Sequence, residues 1–518
     1  VEAHSRQHLT LRRSDIVGAS TVLLVTLAIG EAAIFGGLRL SRGIGFLLGD
    51  EGHSLFAASR LLQHARLYRD VAYVYGWLPV TAYLPAARVF GNTPVVYLEF
   101  LLFWSVVGLL IGYLVIRRLL PPLAATLVVI AGLLPVFVIP GSLLGGYVST
   151  FYIPMERAAI LSAVLIWRPP HQRSSARSAA LGCIPVLMQM LKFGPGIVLV
   201  AALIALDAVV LLADRRPGEL AVSLRAATIV GAVFVVGEGV FAAAVLLALP
   251  FDVGADVLWP SYLREAYPSW SSRWPGWNGW KLVVAQYGNP IAGAILSIVS
   301  WVLILRRSRT AEPGAARFLL PTLLFVFGMF SFFRTVDHFR QFAWMLTIGA
   351  VPALMHSRVA RVVAVGAWVP VFAVVVMSAF RGRAANAVDL VTPAGWQLRV
   401  SPADAARAEG VRRALDALAS TDGSSPVIFY PSGSGFYPAY GFESPGRTVW
   451  FFSHAVRAYE IPELRREFQH AGSVVTCGKG QRFELLPSSL RDVLERRLAG
   501  SVWTDGDCTV FRLKREPL

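Results

Sequence analysis

Two adjacent carboxylates, Asp50-Glu51, stand just past the first apolar span and open the stretch Gly49-Asp-Glu-Gly-His-Ser-Leu-Phe-Ala-Ala-Ser-Arg60. Leu67-Tyr-Arg-Asp70 and Tyr73-Val-Tyr-Gly-Trp-Leu-Pro79 follow closely. Two acids held at a membrane surface lose hydration, and acid–base or metal chemistry is the usual reason to keep them there. The plain alternative is a solvated loop with two charges, and the aromatic and Gly/Pro turn chemistry behind the pair argues against it. A divalent metal on Asp50, Glu51 or Asp70 is compatible with these residues, although no ligand spacing demands one. Cations that could face the acids lie near outer span ends: Arg157, Lys192, Arg334, His338 and Arg340. Each has a plain reading as well. Arg157 can pair with its neighbour Glu156, Lys192 can snorkel to the interface, and Phe333-Arg-Thr-Val-Asp-His-Phe-Arg-Gln341 can be a solvated turn. A Gly-Pro-Gly break beside Lys192 and the planar fork that Arg offers to phosphate oxygens favour phosphate binding.

The elements that must position these residues are mostly membrane spans. The chain is 55% hydrophobic and 15% charged, with mean hydropathy +0.57, against about a quarter charged for a soluble protein. Apolar blocks of roughly 20 residues, long enough to cross a bilayer, fall near 16–38, 96–116, 121–140, 156–168, 178–192, 195–213, 221–250, 287–305, 318–333, 342–357 and 361–380. The net charge of +16 comes from arginine clusters in short loops, at Arg12-Arg13, Arg117-Arg118, Arg168 to Arg177, Arg215-Arg216, Arg306 to Arg317 and Arg358 to Arg361. They alternate with loops lacking such clusters, which is the positive-inside pattern. Orientation therefore accounts for the basicity, anionic membrane lipid is a minor partner, and nucleic acid is excluded. With about 11 transmembrane helices and the N-terminus inside, the C-terminus lies outside. The first block is read as a retained anchor, too long for a signal-peptide core.

Three outer loops stand apart. The first, 39–95, is too long for a simple connector, and its segment Glu51–Arg66 reads as an amphipathic helix lying in the interface, with His53 and His64 as ordinary interfacial residues. The second, 251–286, carries Trp259, Trp270, Trp274, Trp277 and Trp280. The third holds the Arg334/Asp337/His338/Arg340 cluster. After residue 380 the composition turns polar. Helical periodicity over Ala403–Ser420, Glu463–Ala471 and Ser488–Leu498 alternates with strand-like Pro426–Tyr430, Gly472–Thr476 and Thr509–Leu513, predicting a small α/β domain over 381–518. Gly433-Ser-Gly435 reads as a strand-to-helix turn. Cys477 and Cys508 can form a disulfide if this domain is outside the cytoplasm.

The order of apolar anchor, Asp-Glu, helix, Tyr-Arg-Asp element and Tyr-Gly-Trp-Leu-Pro resembles the first outer loop of the GT-C superfamily, the group of protein O-mannosyltransferases and aminoarabinose transferases. The local resemblance covers roughly 45 residues, and the many-span topology extends it loosely over the chain. It implies a polytopic α-helical membrane protein with a GT-C catalytic domain over 1–380 and a small C-terminal extracytoplasmic α/β domain. It further implies a sugar carried on a polyprenyl phosphate, an extracytoplasmic glycan, lipid or protein as acceptor, and a catalytic carboxylate at Asp50. Glu51 and Asp70 would support that carboxylate, and Tyr73, Tyr75 and Trp77 would line the substrate. No signature of the oligosaccharyltransferases that modify Asn-X-Ser/Thr is present, which disfavours protein N-glycosylation.

An acceptor hydroxyl is a weak nucleophile, and a carboxylate within hydrogen-bond reach can take its proton as it attacks the anomeric carbon. The departing lipid phosphate then needs cations. The rival class is a flippase for lipid-linked glycans, which would use the same charged cavity without breaking bonds. A carrier of that kind usually shows repeat symmetry, and none is visible here. Arginine- and alanine-rich usage points to a GC-rich bacterial genome, and hence to the cytoplasmic membrane of a bacterium, with the site and the α/β domain facing outward.

Overall fold

The computed structural model describes residues 13–36, 45–134, 152–258, 315–331, 344–356 and 388–514, apart from short stretches within them, together with Phe137, Val362, Gly366 and Ala373. Its first part is helical: α1 (Arg13–Gly36), a single turn α2 (Gly45–Leu48), α3 (Asp50–Leu62), α4 (Trp77–Phe90), α5 (Pro94–Ile116), α6 (Pro122–Val128, continued by a π turn over Val129–Leu133), α7 (Tyr152–Ile166), α8 (Ser175–Leu191), α9 (Pro195–Asp214), α10 (Glu219–Ala248), α11 (Phe251–Leu258), α12 (Leu319–Ser331) and α13 (Trp344–His356). Local chemistry sets the ends. Thr93 caps α5, its hydroxyl accepting from the Val96 amide at 3.4 Å with Pro94 in the first helical position, where the missing amide costs nothing. Ser174 caps α8 in the same way, accepting from the Arg177 amide.

Among the described residues, four helices are long and apolar enough to cross a membrane: Arg13–Ala32, Pro94–Ile116, Pro195–Leu212 and Glu219–Ala248. The chain is thus a multi-pass membrane protein. The expected span 287–305, nearly all of 361–380 and the tryptophan-rich segment Trp259–Trp280 lie outside the described residues. The helices share one core in which Leu109, Tyr113, Leu133, Leu161, Leu203 and Trp344 are fully or almost fully buried. Several polar groups within it are hydrogen-bonded. The Ser105 hydroxyl donates to the carbonyls of Leu101 and Phe137 at 2.9 and 3.0 Å. Asp207 accepts two bonds from Arg173 (2.6 and 2.9 Å) and one from the Trp167 indole (3.0 Å). A buried ion pair with its remaining lone pairs filled is tolerated, whereas either partner alone would not be.

The C-terminal unit carries a hairpin, β1 (Val388–Val391) with β2 (Gln397–Val400), then α14 (Pro402–Asp422), β3 (Val427–Tyr430), α15 (Phe436–Tyr440), α16 (Ile461–His470), β4 (Ser473–Cys477), α17 (Ser488–Arg497), β5 (Leu498–Asp505) and β6 (Cys508–Leu513). The second sheet runs in the order β3-β4-β6-β5, with β3 parallel to β4 and the rest antiparallel. β3 is buried at every position, as a strand covered on both faces must be. Cys477 and Cys508 are direct register partners on β4 and β6 and form a disulfide. The sequence pattern missed β5, because its mostly exposed residues show no alternation of burial.

The Glu51–Arg66 segment does not lie free as an interfacial amphipathic helix. Eight consecutive residues of α3, Glu51 to Ala58, are buried, because the C-terminal unit covers the helix. Phe46, Leu55, Phe56 and Val71 share a core with Trp396, Val427, Phe429, Phe436 and Tyr437. Gly435 lets the two backbones meet: its amide donates to the Leu47 carbonyl at 3.2 Å, and a Cβ there would lie 1.8 Å from the Phe46 carbonyl oxygen. That close approach is the use of Gly435 in the Gly433-Ser-Gly435 turn. Farther along, the Trp396 indole donates to the Asn92 carbonyl at 3.0 Å, and the Asn92 amide donates to the Leu55 carbonyl at 2.8 Å.

Candidate active site

Asp50 is the first residue of α3 and is half-buried. Its Oδ2 accepts a hydrogen bond from the Tyr75 hydroxyl at 3.0 Å. Burial raises the Asp50 carboxyl above the usual carboxylate range, while the Tyr75 hydrogen bond and the charge of Lys192 pull it back. The Tyr75 ring packs against Tyr152, the first residue of α7, with centroids 5.2 Å apart. On the far side of Tyr152, the Lys192 ammonium donates to the Tyr152 hydroxyl at 3.0 Å and lies 4.8 Å from its ring centroid. A carboxylate and an ammonium thus flank a pair of tyrosines, close enough for each charge to be felt by the other.

Backbone chemistry holds the two sides together. Lys192 follows α8 directly, and Gly194 (φ +107°) and Pro195 end one helix and begin the next, as the Lys192-Phe-Gly-Pro-Gly196 run predicted. The Gln189 side-chain carbonyl accepts from the Gly194 and Gly196 amides at 2.7 and 3.1 Å, which satisfies donors at the start of α9 that would otherwise be orphaned. Opposite, the Gly76 amide donates to the Leu191 carbonyl at 3.1 Å. A Cβ at Gly76 would lie 2.0 Å from the Met190 carbonyl oxygen, so only glycine lets the Tyr75 segment come this close to the end of α8.

Further residues surround the pair. His53 stacks on Tyr73 at 5.3 Å, and Tyr73 meets Tyr75 edge-on at 5.6 Å. His53 is fully buried rather than interfacial, and burial pulls it down to about 3, so it is neutral at physiological pH. Burial pushes the hydroxyls of Tyr73 and Tyr75 up, and the Asp50 charge adds to this, so both stay protonated and able to donate. Glu156 and Arg157 are buried near the start of α7. The Arg157 guanidinium lies 4.8 Å from the Phe137 ring, and Glu156 is within electrostatic reach of both Lys192 and Arg157.

The structure thus brings together Asp50, Tyr73, Tyr75 and Lys192. It buries Glu51 on α3 beside Asp50 and opens α4 with a half-buried Trp77, whose described contacts do not reach Asp50. Asp70 is engaged locally. Its carboxylate accepts from the Arg66 amide and guanidinium at 2.8 and 3.1 Å, and these bonds hold it below the ordinary carboxylate range. Asp70 therefore fixes a turn and is not gathered with Asp50 and Glu51, and among the described residues no group of three His, Cys, Asp or Glu is assembled to hold a metal. Arg334, His338 and Arg340 lie outside the described residues. Sequence reading missed Tyr152 and Gln189, which are polar residues at the ends of apolar helices. Only the Gly-Pro-Gly break beside Gln189 marked the place. Elsewhere, a cleft of 360 Å³ between α3 and the C-terminal unit is lined by Ser59, Arg60, Gln63, Tyr437, Phe442 and Glu443 among others.

The arrangement of membrane helices follows a fold seen in solved membrane proteins. The chain superposes on the crystal structure of ArnT from Cupriavidus metallidurans bound to undecaprenyl phosphate with TM-score 0.51 and 13% identity, covering 96% of this chain and 97% of that one. The apo form of the same protein gives TM-score 0.51 and 12% identity, with 96% of each chain covered. The archaeal oligosaccharyltransferase AglB from Archaeoglobus fulgidus, in complex with an inhibitory peptide and a dolichol-phosphate, gives 0.50 and 12%, covering 95% of this chain and 73% of that one. No family model matches the sequence, and no curated protein matches it.

Proposed function

We propose that the chain is a membrane glycosyltransferase that moves a monosaccharide from a polyprenyl-phosphate carrier to an extracytoplasmic acceptor in the cell envelope, with inversion at the anomeric carbon. The observation that carries this reading is the Asp50–Tyr75–Tyr152–Lys192 constellation, which lies where the first loop meets the break between two membrane helices. The ArnT and AglB structures of this fold hold undecaprenyl phosphate and dolichol-phosphate, which supports the carrier class.

In this mechanism Asp50 accepts the proton of the acceptor hydroxyl as its oxygen attacks the sugar. Tyr75 donates to the carboxylate and favours its ionised form against the effect of burial. The new glycosidic bond forms as the bond from the anomeric carbon to the phosphate breaks, and the electron pair leaves with the lipid phosphate. Lys192 neutralises that charge, and Tyr152 fixes the ammonium by accepting one of its hydrogens. Arg157, Arg334, His338 and Arg340 are further candidates for the phosphate, and Glu51 supports the local field. The C-terminal unit and the site face outward under the positive-inside rule.

The test is transfer in proteoliposomes loaded with a radiolabelled polyprenyl-phosphate sugar, scored as release of free polyprenyl phosphate. Asp50→Asn should lower turnover about 10²–10⁴-fold, the usual general-base contribution, while the donor still binds. Intact sugar-lipid arriving in the opposite leaflet, with no phosphate released, would establish the flippase reading instead.

A further inference from the structure

The segment between α3 and α4 bears Tyr75, yet it has no regular structure of its own. Two of its non-glycine residues, His64 (φ +69°) and Tyr68 (φ +64°), adopt the left-handed region. Such backbone persists only where surrounding contacts over-determine it. Local turn bonds supply part of these contacts, the Tyr68 amide donating to the Val71 carbonyl at 2.8 Å, and a residue far away in sequence supplies more. The Arg447 guanidinium donates to the Tyr68 carbonyl at 3.1 Å and to the Arg69 carbonyl at 3.5 Å, and the Arg447 carbonyl accepts from the Ala72 amide at 3.1 Å. From there the Tyr68 hydroxyl donates to the Tyr75 carbonyl at 2.6 Å, and the Tyr75 hydroxyl reaches Asp50 at 3.0 Å.

Arg447 is itself held by a row of acids. Glu460, Glu463 and Glu467 are spaced three and four residues apart, which places them on one face of α16 and the turn before it. Glu460 is buried and hydrogen-bonds the guanidinium, Glu463 lies 3.8 Å from its Nε, and Glu467 accepts from the Arg447 backbone amide. A guanidinium suits this post because one planar fork can serve a carboxylate and two carbonyls together.

We propose that Arg447 is a positioning residue: the C-terminal unit uses it to clamp residues 68–72 and thereby keeps Tyr75 on Asp50. The clamp itself does not depend on the proposed reaction, although its consequence for turnover does. The test is amide hydrogen exchange on the full-length protein in lipid nanodiscs, comparing Arg447→Met and Arg447→Lys with the wild type. In Arg447→Met, exchange across 66–76, including the Gly76 amide bonded to Leu191, should quicken ten- to a hundredfold. That corresponds to about 1.4–2.8 kcal/mol of lost protection at 1.4 kcal/mol per tenfold. β4 and β6 should keep wild-type protection, and Arg447→Lys should restore part of the loss. Unchanged exchange at 66–76 overturns the clamp, and so does loosening that spreads equally into β4 and β6, which would mark a merely structural residue. Glu460→Gln, which keeps an acceptor but removes its charge, gives a milder variant should Arg447→Met fail to fold, and must quicken the same amides. In the transfer assay kcat should fall with the donor KM little changed. If the wild type transfers no sugar while Arg447→Met still frees 66–76, the clamp stands and the proposed reaction falls.

Discussion

Gly76→Ala isolates the closeness of the two halves of the site. The backbone at Gly76 (φ −61°, ψ 157°) is open to any residue, so alanine adds no conformational strain there. The obstacle is space. The new methyl would lie 2.0 Å from the Met190 carbonyl oxygen and 2.6 Å from two carbonyl carbons. These are backbone atoms at the end of α8 and cannot swing aside as a side chain would. Since real Cβ contacts stay beyond 3.0 Å, the Tyr75 segment must retreat by about 1 Å or more, and a displacement of that size typically costs roughly 10²-fold in rate. The Gly76–Leu191 hydrogen bond also stretches, for a further 0.5–1.5 kcal/mol or so of local stability. Steady-state transfer of sugar from the polyprenyl-phosphate donor should show the rate loss. Gly231→Ala, where a methyl would meet nothing within 4 Å, should leave the rate unchanged. Wild-type turnover in Gly76→Ala would refute the claim that the register between the Tyr75 segment and α8 matters for the chemistry.

Tyr75→Phe removes the hydrogen bond that favours the ionised Asp50. The Asp50 carboxyl should then titrate still higher, and the acidic limb of the rate–pH profile should move to higher pH; an unmoved limb would detach Asp50 from the base role. Reducing the Cys477–Cys508 disulfide opens a loop of 31 residues, which should cost about 3–4 kcal/mol of stability in the C-terminal unit by the chain-entropy relation, measurable as a lowered unfolding midpoint under dithiothreitol. Glu467 is raised to about 7, chiefly by burial and then by Glu463. Between its unfolded value near 4.5 and about 7 the folded state holds the extra proton, so stability should fall as pH rises through that window and level off above it. Glu467→Gln should flatten the slope in thermal melts taken from pH 4.5 to 8.

Some of this protein could be read without coordinates because local chemistry decided it. Membrane helices follow from apolar runs of sufficient length, and the end of α8 follows from Lys192-Phe-Gly-Pro-Gly196, since a proline flanked by glycines disfavours helix continuation. β3, β4 and β6 follow from short β-branched and aromatic runs bounded by turn residues, and the Cys477–Cys508 pair could be proposed because no other cysteine shares the polar region. The Asp-Glu pair singled out one end of the first loop because two acids beside a bilayer need a reason to be there.

What the sequence could not show is who meets whom. Tyr152 and Lys192 reach Asp50 only through the packing of α7, α8 and the first loop, and no periodicity records a contact between residues so far apart. Asp70 had the right residue type and spacing for a catalytic acid, yet Arg66, four residues earlier, took it locally. The C-terminal unit covers α3 and clamps the Tyr75 segment because buried apolar surface on both sides, together with glycines at 52 and 435, lets their backbones touch. Propensity and hydropathy report on neighbours along the chain. The site depends on neighbours across space, so only tertiary structure decided it.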